Sequence, residues 1–160
     1  MATMATAEAK TGENLKIEIR RVIRARRQRV FAAWTKPEEL CQWLAPGPMS
    51  AVSAETELQV GGKFRMTIKG SMDGLPENAE RRVSVEGEYT EIVPDERVSF
   101  TWRPDWNTDG ESQVTVRLRD VDGGTEMLFT HERISSTDSC TGYNRGWASC
   151  FEKLDAALSR

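Results

Sequence analysis

The chain has a single histidine, His131, and only three cysteines among its 160 residues. Zinc is held by clustered cysteine and histidine, and Cys41, Cys140 and Cys150 are scattered and form no CxxC pair. No metal site is therefore expected. If Cys140 and Cys150 share a helix, they stand roughly 15 Å apart along its axis, too far for a disulfide, which needs Cα atoms within about 7 Å. No apolar run approaches the roughly 20 residues that span a bilayer, so no stable membrane insertion is expected. Residues 1–14, MATMATAEAKTGEN, lack the apolar stretch of a signal peptide. They are small and polar, and they read as a disordered tail before one domain over residues 15–160, with a cytoplasmic location. GxGxxG, GxxxxGK[ST] and GxSxG are all missing, so neither a phosphate loop nor a nucleophile elbow is indicated and no cofactor is expected. The net charge of −3 gives no general attraction to nucleic acid. Arg20, Arg21, Arg24, Arg26, Arg27 and Arg29 are clustered in sequence, but strand alternation and a short helix scatter them over different faces, and nucleic acid is not expected as a partner.

What is present is periodicity. Residues 15–25 alternate, with Ile17, Ile19 and Ile23 on one parity, and predict a first strand. A short helix follows in RRQRVFAAWT, burying Val30, Phe31 and Trp34. A second runs through Leu40, Trp43 and Leu44, opened by a capping-box spacing from Thr35 to Glu38 and ended by Pro46-Gly47-Pro48. Strand-like runs come next: residues 52–60 weakly, then 63–69 with Phe64, Met66 and Ile68 on one face, then 83–93 with a bend or bulge at Gly87. After these come Val98, Phe100 and Trp102, then Val114, Val116 and Leu118, then Thr125, Met127, Phe129 and His131. A long polar connection spans residues 70–82. Ser135 to Asp138 offer cap residues for a last, long helix. On it Trp147, Phe151, Leu154 and Leu158 form one narrow apolar stripe, with Tyr143 and Cys140 extending it and Arg145, Glu152, Asp155 and Ser159 pointing away. Gly146 inside that helix suggests a close approach to the sheet. A sheet with one apolar face and a helix with one apolar stripe bury each other.

RVIRARRQRVFAAWTKPEELCQWLAP, VGGKFRM, GEYTEIVPDERVSFTW, GGTEMLFTH and GWASCFEKLDAAL, in this order, resemble the START-like or SRPBCC superfamily, and within it the branch named for activators of the ninety-kilodalton heat-shock protein's ATPase. The likeness covers the chain from Leu15 onward. It implies an α+β helix-grip fold: a curved antiparallel sheet of about six or seven strands gripping a long C-terminal helix, with two short helices after the first strand. It also implies a cavity between sheet and helix of the kind in which superfamily members bind lipids, sterols, polyketides or other apolar molecules.

The expected function is binding of an apolar or amphipathic small molecule, lipid-like, aromatic or polyketide-like, in that cavity. The expected ligand-binding residues are Arg21, Trp43, Phe64, Met66, Trp102, Met127, Phe129, His131 and Trp147. Arg21 and His131 are polar residues on apolar parities. Arg21 fits either an ion pair, with Glu91 or Glu132, or a ligand anion. His131 fits a hydrogen-bonded core histidine, a ligand anchor or a catalytic base. Trp34 reads as core, Trp102 and Trp147 as core or cavity wall, and Trp106 as a lid. Two rival readings remain: a cyclase or dehydratase using His131, Glu88, Glu91 or Tyr89, and a co-chaperone-like interaction module working through exposed loops. A homodimer stays open.

Overall fold

A computed structural model describes residues 15–70, 81–106 and 108–159. The tail over residues 1–14 and most of the polar connection over residues 70–82 lie outside the described residues.

The elements follow in the expected order: β1 (Leu15–Ile23), α1 (Arg27–Thr35), α2 (Pro37–Trp43), β2 (Ser50–Thr56), β3 (Lys63–Gly70), β4 (Arg81–Val93), β5 (Arg97–Pro104), β6 (Ser112–Val121), β7 (Gly124–Ile134) and α3 (Thr137–Leu158). The strands form one antiparallel seven-stranded sheet in the order β1-β7-β6-β5-β4-β3-β2. From β2 to β7 it is a meander of neighbours, with tight turns between β4 and β5 and between β6 and β7. The first strand closes the far edge by pairing with the last, Ile19 opposite Phe129 and Ile17 opposite His131. Because β1 and β2 sit at opposite edges, the chain between them must cross the sheet, and α1 and α2 make that crossing. Register shifts at Leu15/Ile17, Ala51/Ser53 and Tyr89/Glu91 interrupt the ladders. Such bulges bend strands and curve the sheet around what it covers. This is the helix-grip arrangement.

Alternation decides which face is covered. Along β3, Phe64, Met66 and Ile68 are buried while Lys63, Arg65 and Lys69 are exposed. Phe100, Phe129 and Val116 continue that inner face across the sheet, and α3 lays Trp147, Phe151, Leu154 and Leu158 against it. Trp34 is the hub, with ring centroids of Trp43, Phe129, Trp147 and Phe151 within 4.7–6.0 Å. The α3 N-cap is Ser136, whose hydroxyl accepts from the Ser139 N–H at 3.1 Å.

Several local expectations change. No capping box opens α2: its N-cap is Lys36 with Pro37 in the first turn, and the Thr35 hydroxyl donates back to the Phe31 carbonyl at 2.8 Å. The strand expected over residues 52–60 stops at Thr56. The following segment turns back to exchange hydrogen bonds with Tyr89 through Gly61 and Gly62, leaving Leu58 and Val60 exposed. Gly87 is not the bulge, which falls after Tyr89. It is glycine because a Cβ there would lie 1.9 Å from the Thr101 carbonyl oxygen and 2.6 Å from the Phe64 ring.

Candidate functional site

The two halves of α3 differ in bulk. The C-terminal half carries Phe151 and Leu154, both fully buried against the aromatic hub. From its N-terminal end to just past its middle, α3 presents Ser139, Gly142, Gly146 and Cys150 along a stripe about a quarter turn from the aromatic one, at 100° per residue. Where that small-residue stripe faces the sheet, a cavity of about 340 Å³ remains. Its floor is Met66, Ile68, Val83, Val85 and Trp102, from β3, β4 and β5. Leu44, Pro46 and Met49, between α2 and β2, close one side, and Tyr143 and Trp147 stand on the helix side. Asp138 and Trp106 complete the lining. Its walls are predominantly apolar, and its volume is at the small end of the roughly 300–1,000 Å³ typical of small-molecule sites.

The segment between α2 and β2 is clipped to α3. The Lys153 ammonium donates to the carbonyls of Ala45 (2.6 Å) and Met49 (3.1 Å), and the Gly47 N–H donates to the Ser149 hydroxyl (2.7 Å). Gly146 does not serve close approach to the sheet, because a Cβ there would meet only Pro46, at 3.7 Å, and one at Gly142 would meet nothing within 4 Å. Both glycines leave space. Glycine in a helix interior costs about 1 kcal/mol relative to alanine. Gly142→Ala is therefore expected to raise folding stability by about 0.5–1 kcal/mol in urea denaturation, and a destabilised variant would show that the position is not free.

Of the residues expected at the site, Met66, Trp102 and Trp147 line the cavity. Trp43, Phe64, Met127, Phe129 and His131 are buried behind its wall and do not line it. Phe64 and Phe129 touch wall residues from behind, with ring centroids 6.3 Å from Trp102 and 4.6 Å from Trp147 respectively. Arg21 lies outside the lining. Its Nε is 3.0 Å from an Asp155 carboxylate oxygen, and both side chains are partly exposed. The expected partners Glu91 and Glu132 are not used. Asp155, read from the helix pattern as pointing away, instead faces β1 because the edge strand reaches the flank of α3. Burial pushes its carboxyl pKa up, opposed by the Arg21 charge.

His131 is completely buried, and its tautomer is determined by its neighbours. Trp147 Nε1–H can only donate, and it does so to His131 Nδ1 at 3.0 Å. The ring proton therefore sits on Nε2, which donates to the Ser112 hydroxyl at 2.7 Å. Ser112 in turn donates to the Trp102 carbonyl at 3.3 Å. This chain ties α3, β7, β6 and β5 together behind the cavity wall. Desolvation pushes the imidazole pKa down to about 3, so the ring is neutral at pH 7. Its two nitrogens are already occupied, and the geometry is that of a hydrogen-bonded core histidine.

The other candidates for proton transfer also lie away from the lining. Glu88 pairs with Lys63 at 2.7 Å, Glu91 pairs with Arg97 at 3.3 Å, and burial raises the Tyr89 phenol to about 12. Among the described lining residues the ionisable groups are Asp138, Tyr143 and Cys150, the last with a thiol pushed up by burial to about 12. No group of three or more metal-ligating side chains occurs among the described residues, and no helix among them is long and apolar enough to cross a membrane. A second depression of about 790 Å³, bordered by Glu55, Lys63, Arg65, Glu86, Glu88 and Arg103, is charged and threaded by the Lys63–Glu88 and Arg103–Glu111 ion pairs.

The sequence pattern did carry a signal for the cavity. Ser139, Gly142, Gly146 and Cys150 recur at helical spacing beside the aromatic stripe. What sequence reading missed is that Leu44, Pro46 and Met49 stand opposite them.

The family described as Activator of Hsp90 ATPase homolog 1-like protein matches residues 24–159. No curated protein matches the chain. Among solved structures, a protein from Chromobacterium violaceum is 26% identical with a TM-score of 0.77, covering 91% of this chain and 98% of that one. A Rhodobacter sphaeroides protein is 25% identical with a TM-score of 0.75, covering 90% and 92%. An AHSA1-like protein from Aeromonas hydrophila, 24% identical with a TM-score of 0.67 and coverage of 89% and 94%, shares the fold.

Proposed function

The chain belongs to the Activator of Hsp90 ATPase homolog 1-like family, and on that premise we propose that it binds an apolar or amphipathic small molecule in the cavity between sheet and α3, without turning it over. The observation that carries this reading is the cavity itself, about 340 Å³ kept open by Gly142 and Gly146 on a helix that alanine would stabilise. Local departures from stability of this kind concentrate at functional positions. Met66, Trp102 and Trp147 are the contacting residues retained from the sequence, joined by Leu44, Met49 and Tyr143. Burial of ligand surface against them supplies the affinity, at roughly 25 cal/mol per Å² of apolar area before the costs of association. The proposed location is the cytoplasm, where the free thiols Cys41, Cys140 and Cys150 stay reduced.

Native mass spectrometry of freshly purified protein is expected to show a co-purifying small molecule. Titration with the neutral fluorophore N-phenyl-1-naphthylamine is expected to show one saturable site. Gly146→Leu, which extends a side chain from a position with only Pro46 nearby, is expected to weaken that binding at least tenfold while leaving thermal melting intact. Unchanged binding in a folded Gly146→Leu protein would sink the reading, as would the lack of any saturable site.

A further inference from the structure

We infer that the cavity selects an uncharged ligand bearing a hydrogen-bond acceptor, with Trp102 as the donor that meets it and Asp138 as the charge that turns anions away. This rests on the binding reading above and specifies its ligand class.

Three indole donors that support the core are satisfied: Trp34 by the Met127 sulfur at 3.3 Å, Trp43 by the Ala33 carbonyl at 2.9 Å and Trp147 by His131 at 3.0 Å. Trp102 differs. Its Nε1 is buried, with less than 1 Å² accessible, and has no hydrogen-bond partner. The same residue walls the cavity and is 5% exposed overall. Its ring stands among Trp147 at 5.0 Å, His131 at 6.0 Å and Phe64 at 6.3 Å, none of which offers a free acceptor in the structure. An indole N–H has no second role, and buried donors in native proteins are nearly always paired. The inferred partner lies in the cavity, whose wall the indole itself forms, and the ring must turn so that the buried N–H edge meets the ligand.

Charge narrows the ligand further. The lining among the described residues contains no lysine, arginine or histidine. Arg21 is engaged by Asp155, and Lys153 by the carbonyls of Ala45 and Met49. Asp138, exposed in the first turn of α3, borders the cavity, and the Asp109 carboxylate is held at the same end of the helix, accepting from the Ser136 hydroxyl at 2.9 Å and from the Ser139 hydroxyl. The positive end of the helix dipole, which would otherwise favour an anion, is already matched by Asp138 and capped by Ser136. A carboxylate ligand would leave water for an apolar cavity with no counter-charge and a like charge at its border.

Competition against N-phenyl-1-naphthylamine with three compounds of similar size tests this: 2-acetylnaphthalene, its hydrocarbon isostere 2-isopropylnaphthalene, and 2-naphthoate. The ketone is expected to bind about five- to tenfold more tightly than the hydrocarbon, the worth of one hydrogen bond. Naphthoate is expected to bind at least tenfold more weakly than the ketone. Trp102→Phe should bring the ketone down to the hydrocarbon, and Asp138→Asn should raise naphthoate severalfold with the ketone unchanged. In the parent protein, the indole N–H resonance of Trp102 should move downfield with the ketone and not with the hydrocarbon; this reading needs no variant to fold. Naphthoate binding as tightly as the ketone, equal ketone and hydrocarbon affinities, a ketone preference that survives Trp102→Phe, or an unmoved indole resonance would each overturn the inference. If the fluorophore binds and only the ranking fails, the cavity reading stands and this one falls. If nothing binds, both fall.

Discussion

Trp147→Ala is expected to lower folding stability by about 3–5 kcal/mol, the range for truncating a large buried aromatic. Trp147 is 3% exposed and its ring lies within 4.6–6.0 Å of Phe129, Trp102, Phe151 and Trp34. Truncation would remove the side chain on which four elements converge, and would also take away the donor that satisfies His131 Nδ1. Trp147→Phe separates the two effects. It keeps most of the ring but leaves the imidazole acceptor unpaired in the core, for an expected loss of about 1–3 kcal/mol. Glu152→Ala, on the exposed face of the same helix, is expected to change stability by no more than about 0.5 kcal/mol. Urea denaturation of the three variants checks this. A loss under about 1 kcal/mol for Trp147→Ala would mean that the helix is not held through this ring.

Acidification from pH 7 to pH 5 is expected to cost about 2 kcal/mol of stability, and His131 is its cause. The unfolded imidazole titrates near 6.5, whereas burial holds the folded one down at about 3. Between these values the unfolded chain binds a proton that the folded protein refuses. Stability therefore rises with pH across the window, at up to about 1.4 kcal/mol per unit, and is fully present only above the unfolded pKa. As pH falls through the window, that contribution is lost. The chain has no other histidine, so between pH 5 and 7 no second imidazole shares the effect. Arg119 and Arg20 hold the Glu126 carboxyl below the usual carboxylate range, while burial raises that of Asp155, whose titration acts with the opposite sign to that of His131. His131→Gln is expected to flatten the profile whatever it does to the absolute stability. A parent protein whose denaturation midpoint is the same at pH 7 and pH 5 would refute the neutral, doubly bonded imidazole. Both predictions test one unit, because the Trp147 donor and the His131 proton belong to the same hydrogen-bond chain.

Much of the fold is legible in the local pattern of apolar and polar side chains. Phe64, Met66 and Ile68 alternate with Lys63, Arg65 and Lys69, and that alternation alone orients β3. The stripe from Trp147 to Leu158 orients α3, and Ser136 starts it. These features are legible because a strand or helix repeats its faces at a fixed local period, and burial of one face is a property of a single segment. Local reading failed where a different contact, within one helix at Thr35 or across strands at Gly87, had won. Thr35 turned its hydroxyl back to Phe31 when the chain needed Lys36 and Pro37 to start α2, and Gly87 was glycine for the Thr101 backbone rather than for a bulge.

The amino-acid sequence by itself determined the order of elements, most of the inner faces of the strands and the placement of His131 and Arg21 on apolar parities. Tertiary structure alone decided what those two residues do. Arg21 meets Asp155 because the edge strand β1 runs beside the C-terminal half of α3, and His131 is completed by Trp147 and Ser112, which are 16 and 19 residues away along the chain. The cavity also belongs to the assembled molecule. It is the gap between a helix face of small side chains, a sheet floor and the segment of Leu44 to Met49, and its volume is a small difference between large packed surfaces. Periodicity records which way a side chain points, but it does not record how far away the opposing surface stands.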